Sequence, residues 1–381
     1  MAKTALVVGG TGPTGPFVVN GLIDRGWDVT VLHSGQHEVE FKREIEHIHT
    51  DVHFRETFEA GLGTRHWDLV VLSYGRLKLA AEVLRGHCDR LVALGGATGT
   101  AAAPDDPGWG PMGPPALIDE AGTVVETDPQ RNPFGFRMAQ AEQALFDAHH
   151  AGHFEATYVG LPILYGPRQP GPQDWSIVRR ALDGRRRFVI ADGGIKLETR
   201  CYTENAAHAI LLAVDRPEAA RGRKFTVSDE HVYTMRQRIE AIGRHLGHAF
   251  EFVDMPYELA RPCHVLWRNA RGHRIRDTGL IRDVLGYQDP VSADEAVRRT
   301  VDWLLANRPE PGGEAEHQLG DPFDYSREDA LIDRWLAWRG QLPDPDYPLP
   351  PPAHIYRHPK QPNETWTRPA DAPQPGTHRP Y

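Results

Sequence analysis

Short apolar, β-branched runs recur along the first 95 residues, at positions 5–8, 29–32, 45–49, 69–72 and 91–94. Between them lie segments with apolar residues at helical spacing, at 17–25 and 77–84. Continuous apolar runs alternating with amphipathic stretches predict βαβ units, a parallel sheet and right-handed crossovers. Farther on, Phe134, Met138, Ala141, Leu145 and Ala148 repeat at helical spacing and predict a helix over 134–150. Strands are predicted at 156–161, 188–190 and 224–227, and a helix at 204–214. The stretch up to about residue 307 is helix-rich. Ser326, with Asp329 three residues on, reads as a capping box opening a helix that runs to about residue 340.

The expected fold class is therefore α/β: a Rossmann-type doubly wound parallel sheet, a smaller C-terminal substrate lobe and a Pro-rich tail. The domain boundaries read as 1–165 for the dinucleotide-binding domain, its sheet completed by parts of 185–230. Residues 166–310 read as the substrate lobe and 311–381 as a C-terminal helix and extension. The last forty residues carry a dozen prolines, and the aromatics Tyr347, Tyr356, Trp366 and Tyr381 among them suit packing on a folded surface.

The richest local signal is Gly9-Gly10-Thr11-Gly12-Pro13-Thr14-Gly15, directly after the first strand and opening a helix. Gly10, Gly12 and Gly15 satisfy G-x-G-x-x-G, and Gly9, Gly12 and Gly15 satisfy G-x-x-G-x-x-G. Such glycines give a tight turn, a close approach of pyrophosphate to backbone, and helix–strand packing. The helix start then offers free N–H groups and its positive dipole end to phosphate. Pro13 and Pro16 are tolerated there because first-turn amides have no intrahelical partner.

The second strand ends at His33-Ser34, without the Asp or Glu that binds ribose hydroxyls in NAD sites. That absence favours NADP(H), with NAD(H) as the second choice. The third strand runs into Asp51-Val52, where an Asp can accept from the adenine amino group.

Together with Tyr165-Gly166-Pro167-Arg168 and the segment Tyr202-Thr203-Glu204-Asn205-Ala206-Ala207, these pieces make residues 1–230 resemble the extended short-chain dehydrogenase/reductase, or NAD-dependent epimerase/dehydratase, family. The Gly9-Gly10-Thr11 start is similar to its atypical branch. The resemblance implies cofactor contacts from Ser73, Tyr74, Leu94, Met138, Leu161 and Ile163, besides the glycine loop. It also implies a dinucleotide-dependent enzyme and, from the family habit, a homodimer.

The family's Tyr-x-x-x-Lys pair is missing: Phe134 stands where the tyrosine belongs and Met138 where the lysine belongs. Neither can donate a proton or carry charge. Thr98, Tyr74 and Tyr165 remain as candidate proton donors, and Gly96, Trp109, Phe134 and Arg168 as candidate substrate contacts. Trp109 lies in a Pro/Gly-rich insert at 104–115 that could cover an apolar substrate. The expected activity is reduction of a carbonyl in a small, fairly apolar molecule. The alternatives are a nucleotide-sugar epimerase or dehydratase, or an inactive dinucleotide-binding regulatory or interaction protein.

Composition narrows the partners. Of 381 residues, 40% are hydrophobic and 25% charged, with formal net charge -9, which argues against nucleic acid and anionic membranes. No apolar stretch approaches the roughly 20 residues that span a bilayer. Three scattered cysteines imply no disulfide framework, so a reducing, cytoplasmic setting is expected. Twenty histidines invite a metal site, yet no metal is expected: His47, His49 and His53 surround the third strand, while His149 and His150 point to different sides of a helix. The acids Asp119, Glu120 and Glu126, just before the helix at 134, read as solvated loop charge.

Overall fold

A computed structural model describes residues 2–73, 76–97, 117–118, 120, 130, 133–268, 271–343 and 362–363. The chain divides into two compact units, Met1–Ile332 and Asp333–Tyr381. In order, the first elements are β1 (Thr4–Val8), α1 (Gly15–Asp24), β2 (Asp28–His33), β3 (Glu46–His49), α2 (Arg55–Leu62), β4 (Trp67–Leu72), α3 (Leu77–Val83) and β5 (Cys88–Gly96). Then come β6 (Leu117–Ile118), α4 (Pro133–His150), β7 (Glu155–Leu161), β8 (Ile163–Tyr165), α5 (Trp175–Leu182), β9 (Arg187–Ala191), β10 (Arg200–Tyr202), α6 (Thr203–Asp215), α7 (Pro217–Ala220) and β11 (Arg223–Thr226). The lobe continues through α8 (Met235–His245), β12 (Glu251–Met255), α9 (Tyr257–Ala260), β13 (Ile275–Arg276), α10 (Gly279–Leu285), α11 (Ala293–Ala306), α12 (Glu314–Leu319) and α13 (Tyr325–Arg339).

Seven parallel strands form the central sheet in the order β11-β7-β5-β4-β1-β2-β3. Alternate residues of its strands feed two apolar layers. Ala5, Val7, Val29, Val31, Leu69 and Val71 face one way with Val18, Val19 and Leu22 of α1 and Ile210 of α6. Leu6, Val8, Leu32, Val70 and Leu72 face the other way with Phe58 of α2, Ala81 of α3 and Leu145 of α4. Both faces are covered, which is why the strands read as continuous apolar runs. The chain moves outward from β1 to β3, then returns to β4 on the other side of β1. That reversal opens a crevice at the carboxyl ends of β1 and β4, where ligands of such sheets bind.

The structure adjusts two expectations. Residues 187–191 do not extend the central sheet; β9 pairs with β12 in a separate two-stranded ladder, and only β11 completes the main sheet. Their run of basic residues before an apolar triplet suited either sheet. The last helix begins at Tyr325, one residue before Ser326, and Asp324 serves its start by accepting from Arg327 N–H at 3.2 Å. Asp329 is no cap: it pairs with Arg185 and Arg187 at 2.8 and 2.7 Å. Tyr347, Tyr356, Trp366 and Tyr381 lie outside the described residues.

Candidate active site

The glycine loop sits at the crevice, and each glycine is there for a different reason. Gly9 turns at φ 82°, and a Cβ on it would lie 3.1 Å from the carbonyl oxygen of Ser73 on β4's end. A Cβ on Gly15 would lie 2.1 Å from the Gly10 carbonyl oxygen, an impossible contact. Gly12 is different: a Cβ there would meet only the Gly9 oxygen, at 3.7 Å, so its open side faces outward from the loop. Thr14 caps α1 by position but its side chain makes no cap hydrogen bond, which leaves first-turn N–H groups for an external acceptor. Ser73 Oγ is buried beside this loop and has no hydrogen-bond partner among the described residues. A buried hydroxyl without a partner is costly, and a phosphate or ribose over the loop would satisfy it. The loop, the helix start and Ser73 thus fit a dinucleotide.

The far end of the crevice is less open than the sequence implied. Ser34 is exposed, but His33 is buried and bonds through Nε2 to His47 Nδ1 at 2.9 Å. Burial pushes the His33 imidazole below its ordinary pKa. Asp51 is half-buried and accepts from the His53 backbone at 2.8 Å and its ring at 2.6 Å; those bonds hold its carboxyl below the usual range. Val52 packs beside it in the core, 9% exposed.

At the ends of β5 and β7 a cavity of about 280 Å³ opens, lined by Gly96, Phe134, Leu161, Ile163, Arg274 and Arg276 among others. Four of these six are candidate cofactor or substrate contacts read from the sequence. Phe134 is 66% exposed, and its ring lies over Gly96: a Cβ there would meet Phe134 Cζ at 3.2 Å and Met138 Cγ at 3.7 Å. The positions of the family's acid–base pair therefore do face the strand end, but with a ring and a thioether. Leu94, two residues earlier on β5, is buried in the sheet core. From beneath, the Tyr158 hydroxyl donates to the Gly96 carbonyl at 2.7 Å and fixes this end of β5.

The opposite wall was not legible. Glu198 and Thr199 come from the segment before β10, and Arg274 and Arg276 from around β13. Neither arginine side chain makes a hydrogen bond or ion pair with the described residues, although Arg274, after Lys196 and Arg200, helps hold the Glu198 carboxyl below its ordinary pKa against the effect of burial. Burial pushes Arg276 down to about 10, still cationic at neutral pH. Apolar on one side and, with two arginines against the single Glu198 carboxylate, net cationic on the other, the cavity suits an organic anion. Thr199 Oγ1 accepts from Arg276 N–H at 2.9 Å, which ties the two together.

The remaining candidates lie elsewhere. Tyr165 is buried, its ring 4.2 Å from the Arg238 guanidinium. Burial, then Asp229, raises its pKa well above the ordinary value. It faces a second, much smaller cavity shared with Arg200, Asp229 and Tyr233. Arg168 is exposed at φ 61°, in the turn after β8. Glu120 is no solvated charge: it accepts from Thr226 N–H at 2.7 Å and Leu280 N–H at 2.8 Å, joining β11 to α10. Tyr74, Thr98, Trp109, Asp119 and Glu126 lie outside the described residues.

No model of a known protein family matches the sequence. Among curated proteins, the chain is 29% identical to the uncharacterized protein y4nL of Sinorhizobium fredii (strain NBRC 101917 / NGR234), over 46% of this chain and 54% of that protein. It is 25% identical to the decarboxylating sterol-4-alpha-carboxylate 3-dehydrogenase erg26 of Schizosaccharomyces pombe, over 49% of this chain and 60% of that one. The matches thus span little more than half the length of these relatives. Among solved structures, UDP-glucose 4-epimerase from Bifidobacterium longum in complex with NAD+ and UDP superposes with TM-score 0.63 at 15% identity, covering 80% of this chain and 99% of that one. The dTDP-glucose 4,6-dehydratase of Bacillus anthracis in complex with NAD gives 0.60 at 14%, covering 81% and 98%. The fold is thus the Rossmann-type α/β architecture of the epimerases and dehydratases. Among the described residues, no helix is long and apolar enough to cross a membrane.

Proposed function

We propose that this protein is a nicotinamide-dinucleotide-dependent oxidoreductase of the extended short-chain type, which reduces a carbonyl on a small molecule with an apolar body and one acidic group. The observation that carries this reading is the pairing, along one edge of the sheet, of the open glycine loop and unpartnered Ser73 Oγ at the ends of β1 and β4 with a cavity at the ends of β5 and β7 that has Phe134 on one wall and Arg274 and Arg276 on the other. The bound dinucleotide would supply hydride. The chain's part is to hold the carbonyl at the end of β5, exclude water with the Phe134 ring, and pair the acid with the guanidiniums. Neither Phe134 nor Met138 can supply the proton, so water or a hydroxyl near the β5 end does so. Thr98 and Tyr74 stay candidates, whereas Tyr165 is buried and faces the separate, smaller cavity. The sterol-carboxylate dehydrogenase relative, named for an apolar acid, supports this choice.

The sequence lean to NADP(H) came from the missing acid at His33 and Ser34. Glu38 brings a carboxylate to that end, within 4.0 Å of His33 Nε2, so NADP(H) and NAD(H) both enter the test. A homodimer stays part of this proposal; sedimentation showing only monomer at micromolar concentration removes it.

A second reading, a nucleotide-sugar epimerase or dehydratase, draws on the fold neighbours and on guanidiniums suited to a diphosphate. It needs a base to take a sugar hydroxyl proton, and Phe134 and Met138 offer none.

The test is dinucleotide oxidation with paired substrates, an apolar keto acid and its neutral amide. Turnover of the acid is expected, and Arg274→Gln with Arg276→Gln should raise its KM at least about tenfold, the loss of one charge-assisted contact, with little change for the amide. Turnover of UDP-sugars but of no keto acid would overturn the proposal.

A further inference from the structure

We propose that the ends of β2 and β3 form a binding site for a divalent transition-metal ion of the zinc class, with His33, Glu38, His47 and His49 as its donors. This departs from the expectation of no metal; it rests on the geometry of four side chains, two of which, His33 and Glu38, lie at the ribose end of the proposed dinucleotide site. The register explains why spacing alone concealed it. His33 on β2 lies opposite His49 on β3, and Val31 opposite His47, so the three imidazoles share one sheet face. Glu38, from the loop between the strands, closes over them.

The donor atoms all lie within 4.8 Å of one another. His33 Nε2 to His47 Nδ1 is 2.9 Å; Glu38 reaches His49 Nε2 through Oε1 at 3.3 Å, and His47 Nδ1 and His33 Nε2 through Oε2 at 3.6 and 4.0 Å. A tetrahedral zinc with bonds of about 2.0–2.1 Å has ligand–ligand edges of about 3.3 Å, and the distances to the two carboxylate oxygens lie around that value. Imidazole and carboxylate are the nitrogen and oxygen donors such ions take.

Three rings crowd with centroids 4.7–6.0 Å apart and a single carboxylate faces them all, so one dication could be shared by the four donors. Binding through His33 Nε2 moves its proton to Nδ1 and opens the 3.3 Å contact from Gly35 N–H, the longest bond His33 makes. No proton need leave the site. Phe41 packs 5.8 Å from His47 and helps orient it. His33 is buried while the Glu38 and His49 side chains are more than half exposed, which gives the ion an entry from solvent.

The experiment uses the untagged full chain, stripped with chelator and titrated with cobalt(II), then zinc. One cobalt per chain with the strong visible absorption of a tetrahedral site is expected, displaced by zinc. Glu38→Gln and His49→Gln, both at exposed side chains, should each weaken binding at least about tenfold, the loss that even an outer-shell change produces, with unchanged circular dichroism. Absence of binding, or equal affinity in a His47→Gln/His49→Gln variant, would overturn the proposal. Equal affinity would assign the ion to other histidines.

Discussion

Gly12 and Gly15 differ by one geometric fact, and that fact separates binding from folding. The Cβ of Gly12→Ala points into open space above the loop, so the fold should persist while dinucleotide affinity falls. At Gly15 the added Cβ would lie 2.1 Å from a backbone oxygen, so Gly15→Ala should lower the melting temperature as well. Melting curves with and without dinucleotide distinguish the two; equal melting temperatures for both variants would contradict this account of the loop. At the same scale, Phe134→Ala is expected to raise KM and leave the pH profile of turnover unchanged, because the ring packs and transfers no proton. A shifted profile would make Phe134 part of the proton path through a neighbour. The glycine loop was legible because all its residues are adjacent in sequence and each has a local geometric task. Arg274 and Arg276 were not, since they reach the cavity from more than a hundred residues beyond Phe134. Nothing in their immediate sequence marks the wall they form.

Among the elements, α8 is fastened to the start of α5 by a buried ion pair. Arg238 donates to Asp174 at 2.8 and 2.6 Å, with both side chains under 5% exposed. Burial pushes the Asp174 carboxyl up, but Arg238, with Arg200 nearby, holds it below the usual range. Removing one partner leaves an uncompensated buried charge, so Arg238→Gln should destabilise by about 3–5 kcal/mol near neutral pH. The sign with pH follows. A carboxyl with a depressed folded pKa contributes stability above its unfolded pKa, about 3.9, and loses it as pH falls through the folded value. The gap between wild type and variant should therefore narrow below about pH 4, as urea titrations at several pH values would reveal. A gap that stays constant down to low pH would mean the loss is packing, not charge. Strand positions were legible here because β1, β2, β4 and β5 are buried on both faces and so read as unbroken apolar runs. The sheet to which β9 belongs was not, because its Arg187–Ala191 run is compatible with any parallel neighbour. Pairing with β12 is decided more than fifty residues later.

For the whole molecule, the account rests on one crevice at the carboxyl end of the sheet. On the proposed function the glycine loop would hold the dinucleotide there, and the lobe supplies the arginine-bearing wall of the cavity at the ends of β5 and β7. The sheet was readable because its alternation is local. The wall needed the fold, because a lobe of short ladders such as β8 with β10 and β6 with β13 carries no strong periodicity. The most direct measurement is the thermal melt of protein shown by its absorbance ratio to be free of bound nucleotide, with and without NADPH, NADP, NADH and NAD. Binding to the native state raises the midpoint by mass action, worth about 2.7 kcal/mol at a hundredfold excess over Kd. A rise of several degrees with at least one dinucleotide, lost in Gly12→Ala, is the expected result. No rise with any of the four would contradict the account.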